Sequence, residues 1–196
     1  MTLLSHFPSV GISNTYVVGP DSGGDALLVD PGRFDVELLE LIEGHDLNIK
    51  AVLVTHAHEN HVQGLRTLKK IYDVEVYAGY NRVFGFPATT VSHGSLFRAA
   101  GYEIGVMEVV GHSADSRVYL LDHYMFTGDI LSAGRVGTTR TLQARDLMIE
   151  SIRTTIMGLD RDLILLPGHG PPTTLNAERL WNPELSESRP PDMVRD

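Results

Sequence analysis

The sequence contains no cysteine among its 196 residues. Disulfides, cysteine-ligated zinc ribbons and thiol nucleophiles are therefore excluded, and any bound metal must be held by nitrogen and oxygen ligands. The chain also lacks a run of 18 consecutive apolar residues, and its first residues, MTLLSHFPSVG, lack a basic segment followed by a long apolar one. We therefore predict no membrane partner and a cytoplasmic location.

Positive charge is scarce as well. The chain has 16 Lys and Arg against 25 Asp and Glu, which gives a formal net charge of −9. The only adjacent basic pair that stands out is Lys69-Lys70. Because nucleic-acid affinity rests mainly on Lys and Arg that neutralise phosphates, we predict no nucleic-acid partner and expect a small-molecule substrate.

The remaining composition is that of a soluble globular protein, with 42% hydrophobic and 21% charged residues. A chain of this length fits one domain. We predict a single domain over residues 1–183, followed by a polar, proline-bearing tail over residues 184–196 that is disordered or loosely attached.

Short apolar segments alternate with helical patterns along the chain. Apolar residues at helical spacing predict helices over residues 36–42, from His61 onward, and over 142–157. Residues 80–100 have no clear period and are predicted to be an irregular surface segment near the site. Strands are predicted at residues 14–18, 26–29, 51–54, 74–77, 103–110, 117–121, 124–127 and 163–166.

Most of the nine histidines cluster where predicted strands end. Sites in sheet-based folds are commonly built at strand ends. A His-x-His-x-x-His spacing would arise in only about 2% of chains of this composition, so a chance origin is disfavoured. The residues that follow predicted strands are His56, His58 and His61 in VTHAHENHVQG, His112 in GHS, Asp129 in TGD and His169 in PGHG.

This arrangement predicts a metal centre. Side chains alternate along extended backbone, so His56 and His58 point to one side and can reach the same cation. His61 lies about one helical turn later and can reach a second position, and Asp129 could bridge two ions. Neutral imidazole suits zinc, iron, manganese or nickel, and paired ions can activate a shared water. By contrast, His6, His45 and His123 are predicted to be ordinary surface residues, and His93 is left open.

The motif His56-Ala-His58-Glu59-Asn60-His61, followed by His112, Asp129 and His169, resembles the metal motif of the metallo-β-lactamase superfamily, H-x-H-x-D-H with a later His, Asp and His. The resemblance covers roughly residues 14–183 and includes Asn14-Thr15-Tyr16 and Val29-Asp30-Pro31-Gly32. It implies an α/β fold, a four-layer αββα sandwich of two mixed β-sheets flanked by helices.

Within that superfamily, GDILSAGRVG and LLPGHGPPTTLNAERLWNP look most like the short bacterial glyoxalase-II-like hydrolases. The resemblance implies one or two zinc or iron ions per chain. It assigns His56, His58 and His112 to a first metal position, His61 and His169 to a second, and Asp129 as the bridge that also positions the metal-bound water.

Asn60 departs from the family pattern, which has Asp at this position. A neutral amide oxygen is a weaker ligand than a carboxylate and cannot act as a base. We therefore expect the second metal position to bind less tightly or to prefer another metal. The neighbouring Glu59 either compensates for Asn60 or is merely solvated.

Three functions are compatible with these residues. The first is a metal-dependent hydrolase of a small acyl compound, a thioester above all, with metal-bound hydroxide as nucleophile. The chain lacks the C-terminal helical extension with which full-length glyoxalase II holds glutathione, so a role for glutathione stays open. The second is a non-haem iron protein, resembling either mononuclear persulfide dioxygenases or diiron oxygen-binding and oxygen-sensing proteins, with a separate redox partner. The third is a metal-bound scaffold or sensor with little catalysis. A homo-oligomer is left open.

Overall fold

The computed structural model describes residues 1–8 and 11–185. Its helices are α1 (Val36–Glu43), α2 (Glu59–Val62), α3 (Leu65–Ile71), α4 (Leu142–Ile152) and α5 (Leu175–Trp181), and α4 continues into a π-helical segment, Arg153–Met157. Its strands are β1 (Thr2–His6), β2 (Thr15–Gly19), β3 (Gly24–Val29), β4 (Leu47–Leu53), β5 (Glu75–Ala78), β6 (Arg82–Val83), β7 (Phe86–Pro87), β8 (Thr89–Thr90), β9 (Leu96–Ala99), β10 (Tyr102–Glu108), β11 (Arg117–Leu121), β12 (Tyr124–Gly128), β13 (Leu131–Ser132), β14 (Arg135–Val136), β15 (Ile164–Pro167) and β16 (Thr173–Thr174).

Two mixed sheets of six strands form the centre of the protein. The first has the order β1-β2-β3-β4-β5-β8, antiparallel from β1 to β3 and parallel from β3 to β8. The second has the order β16-β15-β12-β11-β10-β9, in which only the β12–β15 pair is parallel. Two separate hairpins, β6–β7 and β13–β14, complete the strands.

Three apolar cores separate four layers, because strand residues alternate between the two faces of each sheet. In β3, Leu27 and Val29 face the core between the sheets, where they meet Tyr119 and Phe126 of the second sheet. The outer face of the first sheet packs against α1 and α3. The outer face of the second sheet packs against α4, the π-helical segment and α5. The predicted αββα sandwich is confirmed.

Each predicted strand corresponds to an observed one, because continuous apolar runs are typical of strands buried on both faces. The helix predicted from His61 onward is instead divided into α2 and α3 at Gly64. The Gly64 amide donates to Pro31 O (2.8 Å). A Cβ at Gly64 would lie 2.6 Å from that same oxygen, so the loop after β3 packs directly on this backbone.

Two other predictions were wrong. Residues 80–100 were predicted to be irregular, but they contain β6 to β9, and these strands are too short to show a detectable period in the sequence. His6 was predicted to be a surface residue, but it is buried at the end of β1, and its Nε2 lies 3.2 Å from Asp35 Oδ1. His45 and His123 are exposed, as predicted.

The packing of the domain extends past residue 183, where the domain was predicted to end. Leu185 is buried in the core beneath α4, and Glu184 accepts a hydrogen bond from the Val136 amide (3.1 Å). The packed domain therefore continues two residues past residue 183, and the rest of the predicted tail, residues 186–196, lies outside the described residues. Over the described residues, every helix is too short or too polar to cross a bilayer.

Candidate metal centre

The predicted site residues meet at one edge of the sandwich, where strands of both sheets end. The loop after β4 carries His56 and His58, the helix α2 that follows it carries His61, and the segment after β10 carries His112. Asp129 directly follows β12, and His169 follows β15. Strand ends from two sheets thus bring together residues that are far apart in the sequence. His56 and His169, for example, are separated by 113 positions.

Three imidazoles form the tightest group. His56 Nε2 lies 2.8 Å from His58 Nδ1 and 3.2 Å from His112 Nε2, and the latter two nitrogens are 3.3 Å apart. Two nitrogens that each lie about 2.05 Å from a tetrahedral ion are about 3.3 Å from one another. The two separations that involve His112 Nε2, 3.2 and 3.3 Å, match this spacing, and the 2.8 Å between the other two nitrogens is shorter. The three nitrogens thus converge closely enough to share one ion.

The ring of His56 is held in one orientation by Thr55. The Thr55 hydroxyl donates to Asp30 Oδ2 (2.6 Å) and lies 3.2 Å from His56 Nδ1. Since the hydroxyl proton is committed to Asp30, the hydroxyl oxygen can only accept from Nδ1–H. The proton thus sits on Nδ1, and the Nε2 lone pair is left free for a metal.

His112 is oriented in the same way from the opposite side of the site. Its Nδ1 lies 2.8 Å from the backbone oxygen of Thr138, which can only accept, so Nε2 is the unprotonated nitrogen. His58 differs because it is exposed and turns its Nδ1 toward the group. Burial, followed by the charge that His112 would carry, lowers the pKa of His58, so a neutral, metal-competent ring is favoured.

The pKa of His56 is perturbed most strongly. Burial, followed by the charge that His61 would carry, lowers the pKa of His56 to about 2. A histidine buried among other histidines resists protonation because each added proton repels the next. The His56 ring is therefore neutral over the whole physiological pH range.

A second group consists of His56, His61 and Asp129. His61 Nδ1 donates to Asp30 Oδ2 (2.9 Å), whereas its buried Nε2 lies 3.3 Å from Asp129 Oδ2 and has no hydrogen-bond partner among the described residues. A lone pair facing a carboxylate at this distance needs a cation between them. A metal ion fits this position, and in its absence a proton must fill it.

The charges around His61 agree with that requirement. Burial alone would lower the pKa of His61, but the charges of Asp30 and Asp129 outweigh burial and raise the pKa to about 9. Burial alone would likewise raise the pKa of Asp129, but the hydrogen bond from His169 and the positive charge of the nearby His61 hold the pKa of Asp129 well below its usual range. The site therefore presents an ionised carboxylate beside a histidine that attracts positive charge.

His169 lies at the outer side of this second group. Its Nδ1 donates to Asp129 Oδ1 (2.7 Å), and its Nε2 lies 3.2 Å from the amide nitrogen of Asn60. Both ring nitrogens thus contact protein groups. An ion at the second position would have to take the place of one of these contacts.

The loop that carries His169 is anchored by Tyr16 of β2 and by Asn14, which directly precedes β2. The Asn14 amide donates to Pro167 O (3.0 Å) and Gly170 O (2.8 Å), and the Tyr16 hydroxyl donates to Pro167 O (2.8 Å). A Cβ at Gly168 would lie 2.6 Å from Asp129 Oδ1 and against the His61 ring. Only glycine lets this loop approach the centre so closely.

Asp30 and Asp115 support the site, although sequence reasoning did not give either a role. Asp30 accepts from the Thr55 amide (2.7 Å), the Thr55 hydroxyl and His61. Asp115 is buried, accepts from the Ala57 amide (2.8 Å) between His56 and His58, and also accepts from the Ser113 hydroxyl. The sequence signal that could have indicated a role for Asp30 was its position directly after a buried strand, as for the other site residues. Glu59 is exposed and belongs to none of the candidate ligand groups.

A cavity of about 460 Å³ opens beside the centre. Asp129 and His169 line it, together with residues of the β13–β14 hairpin that include Ser132 and Arg135. Its volume lies within the range of small-molecule sites, about 300–1,000 Å³. A small substrate can therefore reach the side of the centre where Asp129 and His169 lie.

Comparison with known proteins agrees with this geometry. Residues 8–106 match the family model of the metallo-β-lactamase superfamily. The hydroxyacylglutathione hydrolase GloC of Haemophilus influenzae is 29% identical over 191 residues, which cover 85% of this chain and 90% of that protein.

Two solved structures extend the comparison. ETHE1 from Myxococcus xanthus superposes with a TM-score of 0.83 at 26% identity, covering 93% of this chain and 84% of that one. TTHA1623 in a di-iron-bound form superposes with a TM-score of 0.75 at 26% identity, covering 92% of this chain and 98% of that one. Since the family model matches half of the chain and the fold agrees throughout, the chain belongs to the metallo-β-lactamase superfamily.

Proposed function

We propose that the protein is a metal-dependent hydrolase of small acyl thioesters, which converts a thioester and water into a carboxylic acid and a thiol. The observation that carries this proposal is the convergence of three imidazole nitrogens within 3.3 Å beside a cavity of about 460 Å³. The similarity to the hydroxyacylglutathione hydrolase of Haemophilus influenzae supports the thioester as substrate class.

In this proposal His56, His58 and His112 hold the first metal ion, and His61, Asp129 and His169 hold a second. Bound ions would supply Lewis acidity and would lower the pKa of a coordinated water to about 7. A nucleophilic side chain is not needed, which agrees with the absence of cysteine from the chain.

The protein's own residues have three further roles. Asp30 fixes the protonation of His61 directly and that of His56 through Thr55, so that Nε2 of each ring faces the centre. Asp129 stays ionised between the two groups and accepts hydrogen bonds there. Asn60 sits at the outer rim beside His169 and, as an amide, cannot take up a proton from water.

The test is to purify the protein without oxygen, measure its zinc and iron content, and assay hydrolysis of a hydroxyacyl glutathione thioester and of a simple acyl thioester. We expect thiol release that stops when a chelator removes the metal. His58→Ala should lose at least one ion per chain and most of the activity, because it removes one of three nitrogens at the first position. His45→Ala is the matched control, because His45 is exposed and its Nδ1 contacts only the backbone of α1.

The same preparation decides between this function and its alternatives. Metal-loaded protein that releases no thiol from either thioester would refute the proposal, and stable metal binding without turnover would support the scaffold or sensor. A hydrolysis rate that His58→Ala leaves unchanged would show that the activity does not arise at this centre.

Iron-dependent oxygen chemistry is the second candidate, and Asn60 is the observation that favours it. A neutral amide at the second position leaves the first position as the stronger one, which is compatible with a single iron ion. The similarity to the ETHE1 structure, at 26% identity over 93% of this chain, adds support. Near-stoichiometric iron and an absorbance change on adding oxygen are expected in this case, whereas colourless zinc protein would exclude it.

A further inference from the structure

A histidine outside the metal centre has the same unusual environment as His61. Among residues 1–8 and 11–185, two histidine nitrogens are buried without a hydrogen-bond partner, Nε2 of His61 and Nε2 of His6. Each faces a carboxylate oxygen: His61 Nε2 lies 3.3 Å from Asp129 Oδ2, and His6 Nε2 lies 3.2 Å from Asp35 Oδ1. His6 thus repeats, at the edge of the first sheet, an arrangement that elsewhere belongs to the metal centre.

The fold holds His6 and Asp35 against each other. His6 is the last residue of β1, where it pairs with Thr15 of β2, and it is only 7% exposed. Asp35 caps α1, and its Oδ1 accepts from the Leu38 amide (3.1 Å). One side chain is therefore fixed by burial at the end of a strand, and the other by its hydrogen bond to the start of a helix.

Glu37 adds a third donor to this pair. It lies in the first turn of α1 and is exposed. One ligand atom from each of His6, Asp35 and Glu37 lies within 4.8 Å of the other two. Two donors on one tetrahedral zinc ion are about 3.3 Å apart, which is close to the separation of His6 Nε2 and Asp35 Oδ1. The exposed Glu37 side chain can close its remaining distance by rotating about its own bonds.

Helix stabilisation accounts for the two carboxylates but not for His6. Acidic side chains at the cap and in the first turn of a helix face the positive end of its dipole. That end, and Arg33, whose Nε lies 3.4 Å from Asp35 Oδ2, both weaken the attraction of a cation. A buried ring nitrogen without a partner, however, costs free energy that a bound ion would recover. We therefore expect binding here to be weaker than at the histidine-rich centre.

We propose that His6, Asp35 and Glu37 bind a zinc ion, in a site that is separate from the metal centre and that links β1 to α1. Zinc takes both imidazole nitrogen and carboxylate oxygen as ligands, and three protein ligands leave one tetrahedral position for water. Because β1 is the edge strand of the first sheet and pairs with β2 alone, an ion at its end adds a second attachment. This site does not depend on the proposed hydrolase function.

The first test is equilibrium dialysis of the full chain against a series of buffered free zinc concentrations, followed by measurement of bound zinc. His6→Gln should bind one ion fewer per chain than wild type. Glu37→Gln should weaken the same ion at least about tenfold, since loss of an outer partner of a metal ligand alone costs that much. Glu40→Gln is the matched control, because it removes the same charge from an exposed position one turn further along α1 that is not in the group. His58→Ala, which removes a ligand of the centre, should keep this ion.

The second test locates the ion by hydrogen exchange. In His58→Ala, added zinc should slow exchange of the amides of β1 and of the first turn of α1, and it should not do so when His6→Gln is added. Equal zinc uptake by wild type and His6→Gln would overturn the proposal and leave His6 and Asp35 as an ion pair only. Equal weakening by Glu37→Gln and Glu40→Gln would also overturn it, because the effect would then be one of overall charge. A lack of thioester hydrolysis would refute the proposed function and leave the outcome of both tests unchanged.

Discussion

Replacing Asn60 with aspartate should tighten metal binding at the second position. The Asn60 side-chain nitrogen lies 3.2 Å from His169 Nε2, and His169 contacts Asp129 of the second group, so the substitution places a carboxylate at the rim of that group. The two side chains have nearly the same shape. The change therefore alters charge and ligand strength with little effect on packing.

The size of the effect follows from opposing electrostatic contributions. Two unit charges 4 Å apart interact by about 1 kcal/mol in water and by about 4 kcal/mol at an effective dielectric constant of about 20. Asn60 is partly exposed, so an intermediate value of about 2 kcal/mol applies, which a divalent ion doubles to about 4 kcal/mol. Repulsion from Asp129 and desolvation of the new carboxylate oppose about half of this gain. The net expectation is about 2 kcal/mol, or roughly thirtyfold in the dissociation constant.

The assay is a zinc titration of metal-free protein against a chromophoric chelator, analysed for two successive dissociation constants. The second constant should fall about thirtyfold in Asn60→Asp, while the first, which the proposal assigns to His56, His58 and His112, should change by less than about threefold. Gln63→Glu is the control. It adds the same charge at an exposed position three residues further along the chain, directly after α2.

Two results would refute this reasoning. If wild type and Asn60→Asp load two ions with equal affinity, Asn60 does not weaken the second position. If Gln63→Glu tightens the second constant as much as Asn60→Asp does, the effect is one of overall charge and not of a ligand at this position.

Two more substitutions test how the centre is supported. Asp30→Asn should weaken metal affinity about ten- to a hundredfold, because the amide cannot accept from Thr55 and His61 as the carboxylate does. The zinc titration measures this loss, and Asp25→Asn, at an exposed position, is the control that should show none. Unchanged affinity in Asp30→Asn would contradict the role of Asp30. Gly168→Ala should lower the free energy of unfolding by about 1–3 kcal/mol, because its Cβ would press on Asp129 and His61. Chemical denaturation measures this loss. The control is Gly158→Ala, because a Cβ at Gly158 would meet nothing closer than 3.6 Å. Equal stability of the two variants would argue against close packing at Gly168.

Local patterns in the sequence were sufficient for the longer central strands and for the set of residues that meet at one edge of the sandwich, but not for the short strands such as β6 to β9. Apolar runs such as residues 51–54 predict strands because burial on both faces requires apolar side chains at every position. The histidines follow those runs within a few residues, so their meeting at one sheet edge follows from the order of the strands. The unusual Asn60 could be recognised in the same way, because it interrupts a motif with fixed spacing.

Contacts between distant residues were decided only by the tertiary structure. Asp30 and His61 are 31 residues apart, Asn60 and His169 are 109 apart, and Gly134 and Glu178 are 44 apart. No local pattern encodes these pairs, because each depends on how separate loops pack after the sheets have formed. The sequence alone thus determined which residues could bind metal at the centre, and the packing of the loops decided how each ring is oriented and that His6 is buried.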